Sequence, residues 1–174
     1  MADQGHKGDA GERLVEGYNR MMEHIRELLD DVENKAAPTV REAIDSAKQF
    51  STDLGQLTRE EADKVGEFIR RDMHDAASYL ADSGKEFRDW LNLDLQLIER
   101  RVLDMFAGVA DKTRLELEGL AQRARAASQY HTGEVVAPGT LECVACNQVM
   151  HMHQTAQIPP CPKCHATTFR RIKG

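Results

Sequence analysis

The sequence predicts a mainly α protein: long amphipathic helices, arranged as a helical hairpin or coiled-coil-like bundle, followed by a small C-terminal β module. Three observations predict it. Apolar residues recur in steps of three and four from residue 14 to residue 127, the rhythm of helix seams. Helix-capping signals stand where these stripes begin. Past residue 130 the helical period stops, and two Cys-x-x-Cys pairs follow, Cys143/Cys146 and Cys161/Cys164, with fourteen residues between them. The expected division is a disordered segment 1–10, a helical region 11–130 and the β module 131–174.

Composition agrees with this division. The 174-residue chain is 30% charged and only 5% aromatic, which is thin for one large globular core and suits packed amphipathic helices. Of the net charge of -6, residues 131–174 contribute four basic side chains (Lys163, Arg170, Arg171, Lys173) against Glu134 and Glu142, which leaves −8 on residues 1–130. An acidic helical body repels a phosphate backbone and is a poor nucleic-acid surface. No apolar run approaches the ~20 residues that span a bilayer. Met1 to Gly11 is polar and lacks the apolar core of a signal peptide. All four cysteines fall in Cys-x-x-Cys pairs, which in a reducing compartment means metal before disulfide. The expectation is a soluble, cytoplasmic protein with no transmembrane segment.

The first helical stripe is Leu14, Tyr18, Met21, Ile25, Leu28 and Val32, flanked by charged residues, and Ala36-Ala37-Pro38 ends it. Thr39-x-x-Glu42 is a capping box that opens a second helix, with stripe Val40, Ala43, Ala47, Phe50 and Leu54; Gly55 stops it. Thr58-x-x-Glu61 opens a third, with stripe Ala62, Val65, Ile69, Met73, Ala76 and Leu80. A further box, Ser83-x-x-Glu86, precedes the longest pattern, from Leu91 through Leu95, Ile98, Val102, Met105, Val109 and Leu117 to Ala127. Its heptad rhythm slips between Val109 and Leu117, a stutter that locally unwinds a supercoil. These stripes are read as helix packing, within the chain or in a homo-oligomer. Isolated His6, His24 and His74 are read as surface residues.

In the tail, Glu134-Val135-Val136 is extended, Pro138-Gly139 turns, Thr140-Leu141-Glu142 leads into Cys143, and second and third strands are expected at Gln148–Met152 and Thr167–Ile172. Each Cys-x-x-Cys pair can fold back so that its sulfurs converge on one ion, and zinc takes four thiolates tetrahedrally at ~2.3 Å. The position after each pair commonly needs a left-handed backbone. Asn147 and His165 stand there, both among the few non-glycine types enriched in that region. Pro162 presets the turn in the second pair. So few apolar residues cannot easily support a core, whereas structural zinc supplies ~10–16 kcal/mol of apparent binding energy that is also folding energy. Cys143, Cys146, Cys161 and Cys164 are therefore the expected ligands of one structural Zn2+. Iron in a rubredoxin-like site uses the same ligands and stays open. His151 and His153, two apart on a strand, are read as surface residues, and Met150 and Met152 as packing.

The junction His131-Thr132-Gly133-Glu134-Val135-Val136, the Leu141-Glu142-Cys143-x-x-Cys146 knuckle and Cys161-Pro162-Lys163-Cys164 leading to Phe169-Arg170-Arg171 together resemble the bacterial YbeL-like zinc-ribbon-containing family. Leu57-Thr58-Arg59-Glu60 and Asp111-Lys112-Thr113 resemble it more loosely. The resemblance runs from about residue 14 to 172. It implies a helical region ending in a zinc ribbon with the four cysteines as ligands, and no established biochemical role. Here His165 stands where a glycine is usual.

Two functions are expected in order. The first is a non-enzymatic zinc-binding scaffold or interaction protein, whose helices bind a protein partner or a second copy. The alternative is a nucleic-acid- or ribonucleoprotein-associated regulator, motivated by Phe169-Arg170-Arg171-Ile172-Lys173, basic residues beside an aromatic that could stack on a base. No nucleophile–base constellation, phosphate-binding glycine loop or helical His-Glu-x-x-His is present in the sequence, so catalysis is not expected.

Overall fold

The computed structural model describes residues 5–30, 38–83, 109 and 129–172. Three helices, α1 (Gly5–Asp30), α2 (Val40–Asp53) and α3 (Arg59–Ser83), precede six short strands. These are β1 (Gln129–His131), β2 (Val135–Val136), β3 (Gly139–Cys143), β4 (Val149–Met152), β5 (Ala156–Gln157) and β6 (Thr168–Arg171). The chain is thus mainly helical with a C-terminal antiparallel β region. Of the Ser83-x-x-Glu86 box, Ser83 is the last residue of α3, while Glu86 and the long stripe from Leu91 to Ala127 lie outside the described residues. Val109 alone is described there, buried in the helical core.

Helix α1 starts at Gly5, where composition predicted disorder through residue 10. Once the packed turns from Gly11 onward are formed, adding helical residues upstream needs no new nucleus. Its buried face holds Tyr18, Met21, Met22, Ile25 and Leu29, with Leu14 and Leu28 half-buried. Met22 and Leu29 widen the predicted seam, because α1 touches both α2 and α3 and each of those touches the other. A broad face of this kind belongs to mutual three-way packing rather than to a narrow two-helix seam.

Both capping boxes at the starts of α2 and α3 form. Thr39 N–H donates to Glu42 Oε2 at 2.9 Å, while Glu42 N–H donates to the Thr39 hydroxyl at 3.2 Å. Thr58 and Glu61 repeat the same pair at 2.9 and 3.2 Å. The buried face of α2 is Val40, Ala43, Ile44, Ala47 and Ser51. Phe50 and Leu54, predicted to join it, are 40% and 55% exposed. The reason is phase: a straight α-helix returns to the same face after eleven residues, which brings Ser51 inward and leaves Phe50 at the edge. Phe50 instead stacks on His24 of α1, ring centroids 4.3 Å apart. In α3 the predicted Ala62, Val65, Ile69, Met73 and Ala76 are all buried.

The strands form a four-stranded antiparallel sheet in the order β1-β6-β3-β4 and a two-stranded ladder β2-β5. β1 begins at Gln129, so Gln129 and Tyr130 belong with the sheet rather than with the helices before them. Tyr130 lies opposite Phe169, and Phe169 lies opposite Cys143 on its other side. The ribbon core comprises Tyr130, Val136, Leu141, Cys143, Met150, Met152, Ile158, Cys161 and Phe169. Strand β2 serves two cores at once: Val136 points into the ribbon core, while Val135 and Ala137 belong to the helical core. The period of two in an extended strand makes this possible. Among the described residues no helix is long and apolar enough to cross a membrane.

Candidate metal centre

Each cysteine pair sits in the same local fold. After Cys143 the chain turns so that Asn147 N–H donates to Cys143 O at 2.9 Å, and Cys143 N–H donates to Gln148 O at 2.9 Å. The second pair repeats this: His165 N–H to Cys161 O at 2.9 Å, and Cys161 N–H to Ala166 O at 3.0 Å. Closing so tight a turn requires a left-handed residue after the second cysteine. Asn147 and His165 take it, with φ of 56° and 59°, and they are the non-glycine residues with positive φ among those described. The histidine in place of the usual glycine therefore leaves the knuckle geometry intact.

Strands then bring the knuckles face to face. Cys143 ends β3, and β6 next to it ties the second knuckle in, with Val144 N–H donating to Thr168 O at 3.1 Å. All four sulfurs lie within 4.8 Å of one another. Cys143 Sγ and Cys164 Sγ are 3.6 Å apart, as are Cys146 Sγ and Cys161 Sγ. A disulfide would bring two of them to about 2.05 Å, and all four are free. A tetrahedron with metal–sulfur bonds of ~2.3 Å has edges of about 3.8 Å, close to the spacing found. Cys143 and Cys161 are buried, Cys146 is half-buried and Cys164 is exposed, so the site is at the surface but has its inner half sealed.

Electrostatics favour a cation there. Burial opposes charge on Cys161, yet the backbone N–H groups of Cys164 and Lys163 pull its thiol down to about 6. The Ala166 N–H favours the Cys164 thiolate, but the sulfurs of Cys146, Cys143 and Cys161 crowd it and push it up to about 12. Four thiolates cannot share this space without a positive ion, and a divalent ion supplies what they lack. The donor set thus fits a four-sulfur metal site, formed by every residue the spacing singled out.

Other candidate residues fall elsewhere. His151 and His153 are exposed, rings 6.2 Å apart, and Met150 and Met152 pack in the ribbon core. Phe169, expected to offer a face to a base, is fully buried. Arg171 is turned inward, and Arg170 bonds Glu142 Oε2 at 2.7 Å. Of the segment that motivated nucleic-acid binding, only Arg170 among these three faces solvent, and Lys173 lies outside the described residues. Arg170 and Arg171 are both held by the protein itself.

The profile of a family described as a zinc-ribbon-containing domain matches residues 27–173. The chain belongs to that family. Relatives include the "Uncharacterized protein YbeL" of Escherichia coli strain K12, 28% identical over 156 residues that cover 88% of this chain and 96% of that protein. The YbeL proteins of Escherichia coli O6:H1 strain CFT073 and of O157:H7 match to the same extent. No solved structure matches. Within this zinc-ribbon family member the four cysteines form one cluster whose position and geometry suit a metal ion.

What sequence reasoning missed is the seam between ribbon and helices. Asp72 of α3 is fully buried. Its Oδ2 accepts from the Tyr18 hydroxyl of α1 and from Ala137 N–H of the ribbon, each at 2.7 Å. Arg71 Nε lies 3.1 Å from Asp72 Oδ1, and Arg71 also pairs with Glu134 and donates to Val135 O at 3.0 Å. One turn further on, Asp75 Oδ2 accepts from the Tyr130 hydroxyl at 3.2 Å and faces Arg171 Nε at 3.5 Å. Arg171 donates to Pro138 O and Ala137 O at 2.9 and 3.2 Å. Burial disfavours charge on Arg171, but Tyr130, Asp72 and Asp75 outweigh it and raise its pKa. Burial first, and Asp72 beside it, push the Tyr18 hydroxyl well above the ordinary phenol range. Apart from the neighbours Arg71 and Asp72, the partners lie 33 to 96 residues apart (171 − 75 = 96), beyond any local pattern. One signal was available: Asp72 falls three residues after Ile69 and four before Ala76, in the phase of the core stripe.

Proposed function

We propose that this protein is a non-enzymatic zinc-binding scaffold: a helical body that binds a protein partner or a second copy, closed at its end by a ribbon holding one structural Zn2+. The observation that carries the metal half is the closed set of four sulfurs, with paired edges of 3.6 Å. Four thiolates fill a tetrahedral zinc, so none of its positions is left for water or substrate, and catalytic zinc keeps one open. Zinc bound there would supply folding energy and no reaction. Cys143, Cys146, Cys161 and Cys164 would hold it; Asn147 and His165 shape the loops that aim them. Free thiols grouped for metal rather than for disulfides support a cytoplasmic setting.

The scaffold half is supported by the apolar stripes, which continue through residues 91–127 of the sequence beyond the three packed helices. Two measurements test the reading. Purified protein should contain one zinc per chain by elemental analysis, and a Cys143→Ser/Cys161→Ser double variant none. Self-association should appear in sedimentation and vanish on placing glutamate at Leu91 and Ile98. Zinc retained by the double variant would remove the metal site. A mass unchanged by the Leu91 and Ile98 substitutions would count against the seam.

A further inference from the structure

The ribbon is joined to the helices through charge and not only through apolar contact. Asp72 is where three parts of the chain meet: its own helix α3, Tyr18 of α1, and the Ala137 N–H of the ribbon. Asp75 meets Tyr130 and Arg171, which come from opposite ends of the ribbon. A tethered, independent module would leave a solvated boundary. Here the boundary contains buried carboxylates and a guanidinium that is almost fully enclosed.

Those ribbon groups are placed by the metal knuckles. Tyr130 pairs with Phe169, Phe169 pairs with Cys143, and Arg171 lies two residues past Phe169 on β6. The side chains holding these strands together are few, and two of them are the cysteines themselves. If the ribbon unravels, Asp72 loses the Ala137 N–H, Asp75 loses Arg171, and Val135 and Ala137 leave the helical core. A buried carboxylate stripped of a partner is strongly unfavourable, and the helix carrying it relaxes toward water.

We propose that metal occupancy of the ribbon governs how α1 packs on α3. The ribbon is a metal-held clamp on the helical body, and losing the ion loosens both helices along with the tail. A partner that reads the helical surface would then read the metal state as well. This rests on the ribbon binding a metal as proposed above, and not on the identity of any partner.

The test is amide hydrogen exchange on the full-length protein, zinc-loaded and after stripping with a chelator. Stripping should speed exchange in the ribbon and also in α3 around Ile69 to Asp75 and in α1 around Tyr18, by about a hundredfold or more, the scale of breaking a buried ion pair. Asp75→Asn, a change in the helix that touches no knuckle, should keep one zinc while narrowing the gap in α3 between loaded and stripped protein. Arg171→Gln should do the same from the ribbon side. If α1 and α3 exchange equally with and without zinc while the ribbon loses protection, the clamp is overturned and the metal-site reading stands. If the protein takes up no zinc, both fall.

Discussion

At the scale of single residues, the site depends on backbone positions as much as on sulfur. His165 holds φ of 59°, a conformation that costs an L-residue about 1–2 kcal/mol. His165→Gly removes that strain and regains it in part as chain entropy, so stability should stay within about 1 kcal/mol of the parent. His165→Val, β-branched and intolerant of this region, should cost about 2 kcal/mol or more and weaken zinc binding in competition with a chromophoric chelator. Equal affinities for the two variants would show that the knuckle does not need this backbone. Gly139 is a second such position. Its φ is 152°, and a Cβ there would lie 1.6 Å from Arg171 Nη1. Gly139→Ala should therefore expel the guanidinium from its carbonyl partners and cost about 3–5 kcal/mol in urea unfolding, the range for breaking a buried ion pair. The four clustered cysteines and the two left-handed positions were readable from the sequence, because each follows from a spacing of a few residues. The buried pairing of Tyr18, Arg71, Asp72 and Arg171 was not, because it joins distant parts of the chain and charged side chains are ordinarily solvated.

At the scale of elements, capping chemistry makes two helix starts sensitive to acid. Glu42 is held below the usual carboxylate range first by the Thr39 backbone N–H and then by its hydroxyl. Glu61 is held down first by the Thr58 backbone N–H, against some burial. A carboxyl whose folded pKa is depressed contributes stability that is fully present above the ordinary value near 4.5 and is lost as pH falls through the folded value. The first turns of α2 and α3 should thus fray on acidification below about pH 4.5, seen as faster amide exchange at Glu42 and Glu61. Glu42→Gln keeps a hydrogen-bonding partner for the box and has no such titration, so its α2 start should lose the pH dependence. Fraying at the same pH in that variant would assign the effect to other carboxyls. The boxes and stops were legible because they are local signals that agree with the stripes. The outward turn of Phe50 and Leu54 was not, because a step of three and four averages 3.5 and drifts off a 3.6-residue helix within three turns. β1 and β5 were missed for a different reason: strands of three and two residues carry no period of their own and exist only through β6 and β2.

At the scale of the whole molecule, the question is whether two cores behave as one. Val135 and Val136 are adjacent, both fully buried, yet one belongs to the helical core and the other to the ribbon core. Substituting either by alanine deletes two methyl groups from a packed interior, at about 1–3 kcal/mol each. If the cores were independent, Val135→Ala would lower only the helical transition and Val136→Ala only the ribbon transition. The shared strand, Asp72 and the Arg171–Asp75 contact argue otherwise: opening either core pulls β2 out of both. In cobalt-substituted protein, the ribbon can be followed by thiolate-to-metal absorption and the helices by far-ultraviolet circular dichroism. Both probes should report one midpoint, and each alanine variant should lower that common midpoint. Two separated midpoints, each moved by only one of the variants, would make the ribbon an appended module and the buried charges at its boundary a local feature. A single midpoint means that the four cysteines stabilise more than the strands they hold, since their binding energy then enters the stability of helices more than fifty residues away in the chain.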